Sequence, residues 1–237
     1  MFIGLVFLLA GFVKGVIGLG LPTVAIGLLG LVMAPAEAAS LLVIPALVTN
    51  LWQLATGPRF GTLLRRLWPL LAGICLGTWA GTWLFGGLAP AGARVALGVA
   101  LALYAAFGLA RIELHVPARL EPVLSPLLGA ATGLVTAATG VFVVPAVPYL
   151  QALDLAKPDL VQALGLSFTV SSLALGAALA LDGTLQAGAA GASLLALLPA
   201  LVGMALGQWV GARVRPALFR LCFLLGLLAL GLDLALQ

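Results

Sequence analysis

One lysine stands in an apolar segment that has no other charged residue. Lys14 follows a long hydrophobic run and comes about one helical turn before Gly18. A charge near the centre of a bilayer costs at least about 2.5–3.5 kcal/mol, so such residues usually carry a function. The pattern predicts that Lys14 binds an anion. The alternative is a structural lysine whose ammonium reaches the lipid headgroups.

The residues after Lys14 are suited to a reversal of the chain. Gly18 and Gly20 permit a sharp turn and a close approach of backbone to a ligand. Pro22 suits the first position of a helix, because its missing N–H would have no partner there. A helix N-terminus presents unpaired N–H groups and about half a positive charge, and Thr23 adds a hydroxyl. The alternative is an ordinary turn between two helices.

Further polar side chains interrupt apolar segments. Asn50 and Gln53 are three positions apart and share a helix face, where their amides either bind an anion or link neighbouring helices. A matching set occurs in the second part of the chain: Thr136, Thr139, Gly140 and Ser171. Hydroxyls in membrane helices often bond to their own backbone instead. We expect a substrate site where the two chain breaks meet near the membrane midplane.

The composition excludes a soluble domain. Of the 237 residues, 63% are hydrophobic and only 8% are charged, against about 25% charged in soluble proteins. A membrane span needs about 20 apolar residues. About eight hydrophobic segments follow one another: 2–34, 37–56, 66–87, 92–110, 122–153, 158–181, 187–212 and 216–236. The sequence predicts an all-α polytopic membrane protein, and the net charge of +4 is attributed to loop topology rather than to nucleic-acid binding.

The first and fifth segments are too long for one crossing. Each exceeds 30 residues, or roughly 50 Å as a straight helix, whereas the hydrocarbon core is about 30 Å thick. Both contain breakers, which are Gly18 to Pro22 in the first and Gly140, Pro145 and Pro148 in the fifth. We predict two pairs of short helices that each return to the side they entered, because interrupted backbone is tolerated in membranes where it is buried or lines a cavity.

Internal similarity divides the chain into two halves, 1–115 and 116–237. The pattern Pro-x3-Gly-x3-Gly-x-Trp-x-Gly occurs at 69–81 and again at 199–211, and Gly-x3-Gly occurs at 11–15 and 129–133. Spaced glycines also let two helix backbones approach closely. The sequence therefore predicts an internal duplication.

Charge placement favours the two reversals. If all eight segments crossed once, the Lys and Arg residues other than Lys14 would divide five to five. With the reversals, Arg94 stands alone on one side and nine residues share the other: Arg59, Arg65, Arg66, Arg111, Arg119, Lys157, Arg213, Arg215 and Arg220. The positive-inside rule then predicts cytoplasmic basic loops, periplasmic termini and an inverted structural repeat.

The remaining reactive residues do not form an enzyme site. His115 lies in a loop without metal-binding partners, and Cys75 and Cys222 are expected to be buried apolar residues. Four acidic residues fall at segment ends or in loops: Glu37, Asp154, Asp159 and Asp182. Asp154 and Asp159 flank Lys157 and are interpreted as solvated loop charges. Glu37 is interpreted as compensation of a helix dipole, with proton coupling as the alternative. We predict no catalysis, no cofactor and no metal.

The motifs resemble those of the TauE/SafE family of sulfite exporters over essentially the whole chain. The resemblance rests on residues 11–22, 35–39 and 45–53, and on 133–145 and 199–211. Many members carry Gly-x-Gly-Gly-Gly at each break, whereas the second break here reads Thr139-Gly140-Val141-Phe142. The resemblance implies a multi-pass permease of the bacterial inner membrane for sulfite, sulfonates and related small anions.

A secondary transporter is the function we expect. No Walker motif is present, so ATP would not drive transport directly, and a proton or anion gradient is expected instead. The predicted partners are a small anionic substrate and membrane lipid, not nucleic acid, and homo-oligomerisation is left open. The alternative functions are an anion channel and a non-transporting membrane scaffold.

Overall fold

The regular structure of the chain is helical. The computed structural model describes residues 1–88, 90, 92–110, 112, 114–181, 183, 187–213 and 216–236, so the predictions for Arg111, Asp182 and Arg215 lie outside the described residues. In the described part the helices are α1 (Phe2–Ile17), α2 (Leu21–Gly30), α3 (Pro35–Ala55), α4 (Phe60–Leu84), α5 (Ala93–Ala110), α6 (Glu121–Thr139), α7 (Ala146–Gln151), α8 (Lys157–Leu181), α9 (Ala187–Gly211) and α10 (Pro216–Leu236). Seven of these helices are long and apolar enough to cross a membrane. The protein is therefore a multi-pass membrane protein, as predicted.

The first long segment breaks where the sequence predicts. Gly18 ends α1 with φ +79°, and Gly20 precedes α2 with φ +108°, both left-handed conformations that favour glycine. Lys14 Nζ contacts Thr49, and one turn further along both helices the Gly18 carbonyl accepts a hydrogen bond from Gln53. Helices α1 and α3 therefore run in the same direction.

Helix α2 runs back along α3. A Cβ atom added to Gly140 would lie 2.9 Å from Ile26 Cδ1 and 3.2 Å from Ala39 Cβ. Two residues thirteen positions apart are this close only if α2 and α3 fold back on each other around residues 31–34. Since α3 is parallel to α1 and opposite to α2, the segment 2–34 forms a helical hairpin.

The second long segment is also a hairpin, with unequal arms. The guanidinium of Arg66 contacts the Glu121 carboxylate at 2.6 and 2.9 Å and donates to the Leu153 carbonyl at 3.4 Å. Both ends of the segment therefore meet at one residue. Helix α6 has 19 residues and α7 only six, so the segment does not form the two short helices that the sequence predicts. The second arm is short because residues 140–145 are not helical.

The two hairpins open toward opposite ends of the bundle. The first returns to the end where α3 begins, and there Arg94 donates to the Met33 carbonyl at 3.5 Å. The second returns to the end where α3 finishes, near Arg59, Arg66 and Lys157. Arg59, Arg66 and Lys157 therefore lie at the opposite end of the bundle from Arg94, and the side of the membrane that each end faces stays a prediction. The common origin and inversion of the two halves remain predictions.

Glycines bring helices of the two halves into backbone contact. Helix α1 packs on α9 and α4 packs on α6. A Cβ atom added to Gly207 would lie 2.1 Å from the Phe12 carbonyl oxygen, and one added to Gly77 would lie 2.1 Å from that of Ala130. No side chain fits at these distances, so the predicted close approach through spaced glycines is confirmed.

The cysteines lie on the outside of the bundle. Cys75 in α4 and Cys222 in α10 are both exposed, so the prediction that they are buried is wrong. Their segments are apolar because one face of each helix is available to lipid, and apolarity in such a chain does not distinguish that face from the core.

Candidate functional site

Lys14 is enclosed in protein. Its side chain is 4% exposed, and its ammonium donates to Thr49 Oγ1 at 3.1 Å and to Asn50 Oδ1. The alternative that its ammonium reaches the headgroups is therefore wrong, because α1 packs this residue against α3. No carboxylate of the described residues lies within ion-pair distance of Nζ.

A series of hydrogen bonds to uncharged groups connects Lys14 on α1 to α3 and then to α8. Asn50 Nδ2 donates to Ser172 Oγ at 3.1 Å, and that hydroxyl donates to the Phe168 carbonyl at 2.7 Å. The Thr49 hydroxyl donates to a carbonyl of its own helix at 2.7 Å. These dipoles orient the ammonium without neutralising its charge.

Gln53 ties the first break to α8. Its Nε2 donates to the Gly18 carbonyl at 3.0 Å and to the Val161 carbonyl at 3.1 Å. Its other amide atom, Oε1, is buried and has no hydrogen-bond partner among the described residues. Asn50 and Gln53 therefore link helices in this structure, and Gln53 also retains an unused acceptor.

The structure does not bring the two breaks together. Gly18 contacts Gln53, whereas Gly140 packs beside Ala39. These positions on α3 are fourteen residues apart, or about 21 Å of helical rise. The residues after Gly140 are apolar and fully buried, namely Val141, Phe142 and Val143. The second break therefore enters the hydrophobic core instead of facing Lys14, and the six-residue α7 offers no helix start comparable to that of α2.

Three of the predicted hydroxyls bond to their own backbone. Thr23 donates to the Gly20 carbonyl at 2.8 Å, Thr136 to Thr132 at 2.7 Å and Thr139 to Val135 at 2.7 Å. This is the alternative that the sequence left open for such residues. The neighbouring Pro22 is the second residue of α2, not the first.

Ser171 differs from those threonines. It is buried, and its hydroxyl has no hydrogen-bond partner among the described residues, as is also true of Ser167 one turn earlier and of Thr78. A hydroxyl can donate to an anion or accept from a proton donor. Ser171 therefore keeps the capacity that the sequence assigned to it.

The sequence interpretation did not assign Thr49 or Ser172 to the site. Both are direct neighbours of assigned residues, Asn50 and Ser171, so adjacent polar pairs in an apolar helix were the available signal. Thr49 and Asn50 both contact Lys14, whereas Ser172 contacts Asn50. Which residues of a helix make such contacts depends on its rotation.

Next to the site, hydrogen bonds of Gln162 join the end of α3 to the start of α8. Gln162 Nε2 donates to the Leu54 and Gly57 carbonyls at 3.0 and 2.6 Å, and its Oε1 accepts from the Arg59 N–H at 2.9 Å. Arg59 also pairs with Asp159 at 3.1 Å. Asp159 is 8% exposed, so its interpretation as a solvated loop charge is wrong, since it lies in the first turn of α8 against this arginine.

Comparison with known proteins gives one family. The family described as Sulfite exporter TauE/SafE matches residues 3–234. Comparisons with curated proteins and with solved structures find no match.

Proposed function

The chain belongs to the sulfite exporter TauE/SafE family, and we propose that it is a secondary transporter of a small sulfur oxyanion. Sulfite and organosulfonates are the substrate class, and the bacterial inner membrane is the location. The basic end of the bundle, with Arg59 and Lys157, faces the cytoplasm in this proposal.

The buried ammonium of Lys14 is the observation that carries the proposal. Its partners are a hydroxyl and an amide oxygen, both neutral. A cation buried without a counter-charge is costly. A small anion that reached Lys14 would supply that counter-charge, so binding would be driven by the pairing of opposite charges in a buried environment.

The first break supplies the rest of the proposed site. Gly18 and Gly20 place backbone beside Lys14, one helical turn away. Pro22 and Thr23 lie in the first turn of α2, whose N-terminal dipole favours an anion. A Cβ atom added to Gly18 would meet no atom within 4 Å. Open space therefore adjoins Gly18, although a Cβ atom added to Gly20 would lie 3.0 Å from Val13 Cγ1.

The proposed site lies at the first break and does not include the second. Asn50, Gln53 and Ser171 are the other members that we propose. Thr136, Thr139 and Gly140 belong to the second break, and we assign them no contact with substrate in this conformation. Hairpins that open to opposite ends of the bundle suit alternating access around a fixed site.

Binding and flux measurements test this function. Purified protein is tested for thermal stabilisation by sulfite, thiosulfate, sulfonates and carboxylates, and the anion that stabilises most is then used in reconstituted vesicles. Saturable uptake with counterflow supports a carrier. Non-saturating flux driven by voltage identifies a channel, and absence of both binding and flux indicates a scaffold.

A further inference from the structure

The unused acceptor of Gln53 distinguishes this residue from Lys14, Thr49 and Asn50, whose polar side-chain atoms are hydrogen-bonded to one another or to neighbouring helices. Oε1 has no donor among the described residues, and the residue is 6% exposed. Leaving a buried acceptor unsatisfied is costly, and native structures keep few such atoms. Oε1 therefore has an unused capacity to accept a hydrogen bond.

The orientation of this amide is fixed by its surroundings. Nε2 lies 3.0 Å from the Gly18 carbonyl oxygen and 3.1 Å from that of Val161. Rotation of the amide by half a turn would place Oε1 against two other acceptors and lose both hydrogen bonds. Oε1 is therefore the atom that is left without a donor.

The acceptor also lies beside the proposed anion site. The two heteroatoms of an amide are about 2.3 Å apart, so Oε1 is within about 5.5 Å of the Gly18 carbonyl oxygen. Gly18 is one turn beyond Lys14 on α1, and the space beside its Cα is open. A cation donor and an unsatisfied acceptor thus flank the same break.

We propose that Gln53 Oε1 accepts a hydrogen bond from the transported anion, so that the site selects oxyanions that carry a donor of their own. The inference rests on the proposed anion site at Lys14. The anion's oxygens would pair with the ammonium while its donor satisfies Oε1. A fully deprotonated oxyanion, or a sulfonate with an alkyl tail, would leave the acceptor unpaired.

The donor has two chemical sources, which two comparisons separate. A hydroxyl on the carbon chain is tested with 2-hydroxyethanesulfonate against ethanesulfonate. A proton on the oxyanion is tested with sulfite from below to above its second ionisation, with sulfate, which stays fully ionised over that range, as the control. Dissociation constants are measured on the purified, full-length protein.

At least one comparison should favour the donor-bearing form about tenfold, the usual effect of pairing a buried acceptor. Preference for the hydroxylated sulfonate identifies a hydroxyl, and tighter sulfite binding on protonation, without a change for sulfate, identifies a proton. Equal binding in both comparisons overturns the inference while leaving the proposed function intact. Absence of any anion binding contradicts the proposed function and this inference with it.

A matched pair of glutamine variants assigns the preference to one atom. Gln53→Met should reduce the tenfold ratio to about one. Gln162→Met is the control, because Gln162 also links helices through Nε2 but its Oε1 already accepts from Arg59. Its ratio should remain that of the unmodified protein. A ratio that survives in Gln53→Met overturns the assignment, and if that variant does not fold, the ligand comparison on the unmodified protein still decides.

Discussion

The Lys14 ammonium donates to the amide oxygen of Asn50, which follows it by 36 positions in the chain. This contact joins α1, the first arm of the hairpin, to α3, the helix that follows the hairpin. The amide then donates to Ser172 of α8, so one buried charge is held by groups from three helices. The site therefore requires the tertiary fold and is not a local property of the hairpin.

Replacing Lys14 should abolish anion binding without harming the fold. Lys14→Met keeps the length of the side chain and removes a charge whose burial without a counter-charge is costly, so we expect the folded state to be retained. We expect anion affinity to fall at least about thirtyfold, the effect of removing one partner from a buried charge pair. Calorimetric titration and the melting temperature of the anion-free protein give the two readouts.

The control for this change is Lys157→Met. Lys157 is the other lysine of the chain and is exposed, so its variant should bind the anion with unchanged affinity. If Lys14→Met retains full affinity for the anion that stabilises the unmodified protein, Lys14 is not its binding group.

The Lys14–Asn50 contact should give a large coupling free energy in a double-mutant cycle of stability. Asn50→Leu removes the principal acceptor from a buried ammonium and should destabilise the protein by about 1–3 kcal/mol. Adding Lys14→Met removes the unsatisfied cation and should restore most of that loss. Apparent melting temperatures of the four proteins in one detergent measure the cycle. Additive effects would show that the two side chains do not interact.

Part of this arrangement was predictable from sequence, because a few residues are informative by their rarity. Lys14 is the only charge in its segment, and glycines with a proline in a segment too long for one crossing indicate a reversal. Asn50 and Gln53 stood out for the same reason. Each of these features is local. The structure confirms the reversal and shows Asn50 and Gln53 linking helices, whereas anion binding by Lys14 stays a prediction.

The remaining features depended on helix rotation and depth, which an apolar pattern does not encode. A chain in lipid is hydrophobic on both its inner and outer faces, so Cys75 could not be assigned to the outside. Gly140 was expected beside Lys14 because both breaks were placed at the midplane. Its actual depth follows from the 19 residues of α6 that precede it and from the apolar residues that follow it.

Backbone contact between α4 and α6 should make Gly77 intolerant of alanine. An added Cβ atom would lie 2.1 Å from the Ala130 carbonyl oxygen, so the two backbones must separate, at a cost of about 1–3 kcal/mol. Gly226→Ala is the control, because nothing lies within 4 Å of its added Cβ atom and alanine favours a helix interior by about 0.5–1 kcal/mol. Melting temperatures should fall for Gly77→Ala and hold or rise for Gly226→Ala. Equal shifts would contradict close packing at Gly77.

If the second long segment reverses, its two ends lie on the same side of the membrane. If it crosses once, they lie on opposite sides. Arg119 precedes α6 and Lys157 follows α7, so cysteines at these two positions should react with an impermeant reagent from the same side of the membrane. A cysteine at Arg94 should react only from the opposite side. Both native cysteines are exposed and are first replaced by alanine to give a silent background. Labelling of positions 119 and 157 from opposite sides would mean that residues 121–153 cross the membrane, and the shared contact of Glu121 and Leu153 with Arg66 could not then exist in the bilayer.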